Sequence, residues 1–335
     1  MLIDGWLNFG SDIARAAHDI EVDGFDGAWA PEAGHDPLLI LTAAASATQR
    51  LELGTSIVVA FGRSPMTTAV MANDVQLLSK GRLLLGLGSQ IKPHIEKRYS
   101  MPWSRPAARM REYILALHAI WDCWNDDAPL RFRGEFYRHT LMTPFFNPGP
   151  NMYGPPKVFL AAVGELMTEV AGEVADGLFI HPFTTERYLR EVTLPALERG
   201  FAKSGRDHST FQISFSGMVV TGDSDLERQE ASTAIRKQLA FYGSTPAYKG
   251  VLDLHGWHDL QPQLNELSRS GEWDAMTDLI TDDVLDTFSV VAPVGEVARR
   301  VTDRFGDVID RFSIYSTEHL DHADVQTIVG ALRAN

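Results

Sequence analysis

The sequence predicts an α/β protein, a (β/α)8 TIM barrel, and three observations carry that prediction. Eight strand-like apolar runs recur along the 335 residues. Helical segments lie between most of them, which is the alternation of parallel βα units. The stretch from Leu51 to Ser89 shows one such unit in full: LELGTSIVVA and GRLLLGLGS flank a helix-like segment, and small-residue turns mark the strands. An open doubly wound sheet would stop at fewer strands, so closure is the better reading.

In chain order the runs fall near residues 2–8, 25–30, 51–59, 82–88, 157–162, 177–181, 211–220 and 308–315. Ser64 followed by Pro65 starts one helix, and Ser104 ahead of Arg105-Pro106 starts another. From Arg109 to Trp124, Met110, Tyr113, Ile114, Leu117, Ile120, Trp121 and Trp124 recur at helical period, so this helix faces a core. RFRGEFYRH alternates about Gly134 and predicts a short hairpin. The Pro- and Gly-dense FFNPGPNMYGPP is a connector, expected to close over the strand ends before KVFLAAVG resumes the barrel. Residues 222–306 are too long for one βα unit and are expected to form a helical insertion before the last strand, within a single domain spanning 1–335. Such excursions shape substrate pockets in barrels, whose sites lie at the C-terminal strand ends.

A net charge of −14 argues against a nucleic-acid surface, which needs a clustered basic face. An anionic small molecule stays admissible, because local charge opposes the global sign. Cys123 is the sole cysteine, so neither an internal disulfide nor a thiolate metal cluster is expected. The start MLIDGWLNFGSDIARAA lacks a basic segment and a long apolar run, and no stretch reaches the ~20 apolar residues of a membrane span. The expectation is a cytoplasmic protein without a membrane partner.

Candidate chemistry gathers at strand ends. Gly54, Thr55 and Ser56 precede Ile57-Val58-Val59, and Gly88, Ser89 and Gln90 close the next strand, where backbone must approach a ligand. Ala161, Ala162, Val163 and Gly164 join a strand to a helix, a turn whose amides suit a phosphate. Lys92, Lys97 and Arg98, with Arg63 after the other strand, form a basic concentration fit for an anionic cofactor tail. Glu32 and His35 in WAPEAGHDP offer an acid and a base at the barrel mouth, and His181 at the end of GLFIH is a substrate-pocket candidate. No second histidine stands at helical spacing from His35, so no metal site is expected.

The motifs GFDGAWAPE, LELGTSIVVAFGRSP, GRLLLGLGSQ, YILALHAIWDCW with GEFY, and AAVGELMTEVAGEVADGLF stand in one order. Together they resemble the luciferase-like superfamily, in its branch of oxidoreductases that use the deazaflavin coenzyme F-420. The resemblance spans roughly residues 1–220 and the final strand and helix. It implies a cofactor across the C-terminal strand ends, backed by a bulge with a non-prolyl cis peptide at Ser56–Ile57. It also implies that Glu32 fills the acidic position near the ring, that Gly88-Ser89 lies beside the cofactor, and that Ala162-Val163-Gly164 holds a phosphate.

Two departures bear on chemistry. Ala33 and Ile91 stand where the sugar-phosphate dehydrogenases of the family carry a histidine and a catalytic glutamate, which argues against sugar-phosphate oxidation and leaves His35 as the proton-handling candidate. The implied activity is hydride transfer between F-420 and a small organic substrate. The alternative is a monooxygenase using reduced FMN from a separate flavin reductase, and a non-catalytic flavin-storing or flavin-sensing barrel is a third reading. The basic stretch Lys92–Arg98 favours the polyglutamyl-tailed F-420 over FMN. The resemblance further implies a homodimer or a larger even-numbered homo-oligomer, with the helix around Trp121 and Trp124 as a candidate contact.

Overall fold

The computed structural model describes residues 1–316 and 320–334. Its strands are β1 (Leu2–Trp6), β2 (Gly27–Ala30), β3 (Glu52–Thr55), β4 (Val58–Val59), β5 (Leu83–Gly88), β6 (Phe132–Arg133), β7 (Arg138–His139), β8 (Lys157–Ala162), β9 (Gly177–Ile180), β10 (Gln212–Val220), β11 (Ser289–Val291) and β12 (Arg311–Tyr315). Parallel pairing runs β12-β1-β2-β3-β5-β8-β9-β10 and returns from β10 to β12, which closes an eight-stranded barrel. All eight expected runs are its staves. Helices cover the outside, so the staves are buried on both faces and read as nearly continuous apolar runs.

The lumen is filled in layers by side chains that alternate inward along each strand. At the floor, Arg311 on β12 donates to both carboxylate oxygens of Asp4 on β1, Nε to Oδ2 at 2.9 Å and Nη2 to Oδ1 at 2.6 Å, and also reaches Glu52 on β3. Both side chains of the Arg311–Asp4 pair are fully buried. Burial works against the Arg311 charge, but Asp4 and Glu52 overcome it and raise its pKa. Above this layer Trp29, Leu84, Phe159 and Phe179 form a plug, with the Arg311 guanidinium 5.3 Å under the Trp29 ring. Gly54 is obligatory here, since a Cβ on it would stand 1.6 Å from the indole.

The predicted helix at Arg109–Trp124 is Pro106–Asn125, and Met110, Tyr113, Ile114, Leu117, Ile120, Trp121 and Trp124 are all buried against the barrel. Trp121 and Trp124 therefore face the chain's own core. Ser64 caps its helix as expected, accepting from the Thr67 amide at 3.1 Å. Ser104 does not: the cap residue is Arg105, with no side-chain bond, and Pro106 sets the first turn.

β6 and β7 make the expected hairpin, anchored by Glu112, which accepts the amides of Glu135, Phe136 and Tyr137. The connector after it does not close over the C-terminal strand ends. Asn151 bonds Asn73 and Asn125, and Tyr153 lies against Gly81 just before β5, at the opposite end of the barrel. The reason is topological: β8 runs parallel to β5, so the chain must return to that end before β8 begins.

The region 222–306 is mostly helical, and its Ile235, Leu239, Leu264 and Phe288 form a second core together with Phe183 after β9 and Met218 of β10. It differs from expectation at its end. Residues Ser289–Val291 are a strand paired to the upper part of β10, and helix Val294–Phe305 packs Val297, Val301 and Phe305 into the barrel's main core. Among the described residues no helix is long and apolar enough to cross a membrane.

The floor ion pair yields a prediction. Asp4→Ala leaves a buried guanidinium with one partner fewer, and should lower stability by about 3–5 kcal/mol in urea unfolding. A loss below about 1 kcal/mol would mean that the lumen is wet enough to screen the charge.

Candidate active site at the barrel mouth

The third stave breaks at the mouth. β3 pairs β5 through Gly54 and Leu84, and β4 resumes through Val58 and Leu87, so four residue steps oppose three. That extra residue is a β-bulge. It contains the Ser56–Ile57 peptide, which is cis. Gly88 fits beside it only because it lacks a Cβ, which would stand 2.7 Å from the Ile57 side chain. Ile57 packs with Trp6 and Ala161 on top of the aromatic plug.

Glu32, in the loop after β2, braces this bulge. Its Oε2 accepts the Val59 amide at 2.8 Å, Arg63 donates to both of its oxygens at 2.7 and 2.9 Å, and the Tyr99 hydroxyl donates at 2.7 Å. Arg63 also reaches Asp36 at 2.6 Å, and Asp36 caps the next helix through the Leu38 amide. Burial opposes the Arg63 charge, while Glu32 and Asp36 more than restore it and raise its pKa. Burial, then the Glu32 hydrogen bond, pushes Tyr99 up to about 12. Glu32 thus joins the loops after β2, β4 and β5, and its oxygens are occupied.

His35 lies elsewhere on the same rim. It is exposed and stacks on Phe9 at 3.7 Å with an interplanar angle of 13°, which brings together the loops after β1 and β2. The basic residues divide between two tasks. Arg63 and Arg98 tie loops together, Arg98 donating to the Ala33 carbonyl at 2.5 Å and lying over the Tyr99 ring. Lys92 faces Glu96 at 3.8 Å in the open, and Lys97 is exposed with no partner among the described residues. Ser89 bonds the Gln90 carbonyl at 3.1 Å, and Gln90 takes a positive φ of 57° to turn the chain out of β5.

Across the mouth, Ala161 and Ala162 end β8, and Val163 and Gly164 lead into helix Glu165–Val174. Gly164 is the cap residue, and no side chain caps this helix. The amides of Glu165 and Leu166 have no acceptor among the described residues, that of Met167 donates to the Gly164 carbonyl at 3.1 Å, and a Cβ on Gly164 would meet nothing within 4 Å. The turn is an open cradle of backbone donors. Glu165, at the first helical position, is drawn outward by Arg199 at 2.7 Å.

His181 follows β9 and meets the insertion. Its Nδ1 accepts the Phe183 amide at 3.0 Å, and its Nε2 is 3.1 Å from the Tyr248 hydroxyl. Tyr242 packs edge-on against the imidazole at 4.7 Å and exchanges a 3.1 Å hydrogen bond with Tyr315 at the end of β12. Burial holds the His181 pKa down at about 4, and burial also raises Tyr248 to about 12. Sequence reasoning missed Tyr242 and Tyr248, because tyrosines in a helical insertion carry no motif, and Tyr315, which ends the last predicted strand without a motif of its own. Two further atoms lie unpaired in the lumen or its wall: the Trp29 indole nitrogen and the Ser216 hydroxyl are buried without a hydrogen-bond partner.

Two hollows of about 390 and 410 Å³ lie outside the barrel, along Thr185–Glu191, His255 and Asp286–Arg304. Their cations are already used: Arg190 pairs with Asp307 and Glu186, and Arg304 donates to the carbonyls of Thr287 and Ser289. The mouth is the better candidate, because it joins the open cradle, the bulge and partly accessible polar groups where barrel sites are built.

Comparison with known proteins gives the family and the likeness of fold. The model of the family described as luciferase-like monooxygenase matches residues 10–311. An uncharacterized protein of Mycobacterium tuberculosis is 57% identical over 298 residues, covering 89% of this chain and 88% of that protein. A 5,10-methylenetetrahydromethanopterin reductase of Archaeoglobus fulgidus is 26% identical over 293 residues, covering 84% of this chain and 82% of that one. Among solved structures, the coenzyme F-420-dependent tetrahydromethanopterin reductase of Methanopyrus kandleri superposes with a TM-score of 0.78 at 19% identity over 98% of both chains, a likeness of fold.

The neutral His181 predicts a pH effect. Between pH 6.5, its ordinary pKa, and about 4, the unfolded chain holds a proton at this site that the folded chain does not, so stability falls as pH drops through that window. In His181→Asn an amide oxygen takes over the Phe183 amide without titrating. Its melting temperature should fall less between pH 7 and pH 5 than that of the wild type, and equal falls would show that His181 is protonated in the folded state.

Proposed function

Because the chain belongs to the luciferase-like monooxygenase family and is an oxidoreductase, we propose that it transfers a hydride between coenzyme F-420 and a small organic substrate at the barrel mouth. The observation that carries this reading is the pairing of the braced bulge at Ser56–Ile57 with the uncapped turn at Gly164. One offers a rigid backbone wall against which a flat ring lies, with Gly88 leaving room beside it. The other offers unpaired amides, at the positive end of a helix dipole, to a phosphate. The residues present fit a phosphate-bearing flavin-type cofactor.

Bound there, F-420 supplies a two-electron hydride carrier whose ring carbon does not activate oxygen. The chain's own residues do the rest. Ser56, Ile57, Gly88 and Ser89 border the ring position, Ala161 to Gly164 take the phosphate, and Lys92 and Lys97 draw an acidic tail along the rim. Glu32 acts on this arrangement as a positioning residue, since it holds Val59 and through it the bulge. His35, exposed on the rim and held by Phe9, exchanges a proton between solvent and the substrate heteroatom.

A second reading, a reduced-FMN monooxygenase, is favoured by one observation: Arg63 and Arg98 are tied into the rim, so only Lys92 and Lys97 remain for a polyanionic tail. Titration of the purified chain with both cofactors separates the readings. Saturable F-420 binding with weaker FMN binding is expected, and the reverse order would replace the first reading with the second.

Two variants extend the test. Gly164→Asp places a good capping residue at the helix start, so the melting temperature should hold or rise while F-420 affinity falls by about tenfold from charge repulsion at the phosphate cradle. Unchanged affinity would remove the phosphate from this turn. His35→Ala should slow reduction of a carbonyl acceptor, drawn from an alcohol, imine and enone panel, by about a hundredfold or more with cofactor affinity retained. A wild-type rate would end the proton role of His35.

A further inference from the structure

Building on the hydride-transfer reading, we propose that Tyr248 is the hydrogen-bond donor that recognises an uncharged, ring-bearing carbonyl substrate in an aromatic recess between the barrel and the insertion. The argument starts from which nitrogen of His181 carries the proton. Nδ1 accepts the Phe183 amide, so that nitrogen is bare, and in the neutral ring the hydrogen sits on Nε2. Nε2 is 3.1 Å from the Tyr248 oxygen, which therefore accepts. The phenolic hydrogen of Tyr248 then has no acceptor among the described residues, and the side chain is only half-buried. A donor held in place by a histidine and left without an acceptor is prepared for a ligand oxygen.

The surroundings define the rest of the ligand. The Tyr248 ring lies 4.7 Å from His181 and 5.6 Å from Phe183, and Tyr242 closes on His181 edge-on at 4.7 Å. These rings pack on one another, and the part of the cluster that stays accessible at Tyr242 and Tyr248 presents an aromatic edge to a flat apolar body. Nothing in the recess answers a charge. His181 is neutral, Lys249 beside Tyr248 is paired with Asp253 at 2.5 Å, and Arg187 is taken by Glu191 and the Leu254 carbonyl. A carboxylate or phosphate brought among these rings would lose its hydration without gaining a counter-ion. A ketone, aldehyde or enone on a ring avoids that cost and accepts the free hydrogen of Tyr248.

The test uses the full-length chain, with acetophenone and acetylbenzoate as probes of the same body without and with a charge. Tryptophan fluorescence, with Trp257 in the same cluster, reports binding. Saturable acetophenone binding is expected, with acetylbenzoate weaker by about tenfold, and Tyr248→Phe should weaken acetophenone by about tenfold. Near-UV circular dichroism and an unchanged F-420 affinity confirm that the variant is folded. Equal binding of the two probes by the wild type overturns the proposal, as does an unaltered acetophenone affinity in Tyr248→Phe or an absence of saturable acetophenone binding. Ketone binding is measured without cofactor, so a chain that binds acetophenone but not F-420 refutes the hydride-transfer reading and leaves the recess assignment standing.

Discussion

The constraint on which the rest depends is that an eight-stranded barrel must fill its lumen. Here it is filled from below by a charged floor and an aromatic plug. Arg311 satisfies Asp4 bidentately and reaches Glu52, and Trp29 lies over the guanidinium with Phe159 and Phe179 beside it. The plug stops at the height of Ile57, Trp6 and Ala161. Beside it Gly88 and Ala161 carry little or no side chain, which leaves the backbone of β5 and β8 uncovered at the mouth. The glycines of β3 and β5 follow from the same constraint, since the volume of Trp29 and of Ile57 excludes a Cβ at Gly54 and Gly88.

The mouth that results has two chemically different halves. On the side of β2 to β5 the loops are cross-linked by charge: Glu32, Arg63, Asp36, Tyr99 and Arg98 form one network whose members satisfy one another. Such a network holds backbone in place, as the Val59 amide on Glu32 shows, and a half-satisfied version would be worse than none. On the side of β9 to β12 the groups are neutral hydroxyls and an uncharged imidazole, and the insertion supplies two of the tyrosines. The first half is suited to holding a cofactor of fixed shape. The second is suited to a substrate that varies.

How much of this was legible in the sequence follows from the range of each interaction. All eight staves were visible because a strand buried on both faces announces itself as a local apolar run. β11 was not, since Ser289–Val291 is three residues between two helices and shows no period. The bulge was hidden inside the continuous run LELGTSIVVA, and only the family resemblance located it. Glu32 was legible as an acid at the mouth but not as a brace, because its partners Arg63 and Tyr99 lie 31 and 67 residues away. The same limit hid Tyr248, which is 67 residues from His181 and sits in the least patterned part of the chain.

The division of the mouth also bears on why an insertion is present at all. For the proposed hydride transfer, exclusion of water would matter, because low-dielectric surroundings strengthen each hydrogen bond aimed at a reacting carbonyl. The staves alone do not provide such surroundings, since the loops after β2, β4 and β5 carry the charged brace. A wall whose apolar core joins Leu239, Leu264 and Phe288 of the insertion to Phe183 after β9 and to Met218 and Val220 of β10 is packed directly onto the opposite rim. Because its polar tips there are the neutral hydroxyls of Tyr242 and Tyr248, it brings no charge to that rim that would have to be solvated. Substrate choice can then change through residues such as Tyr242 and Tyr248 while the floor, the plug and the brace stay as they are.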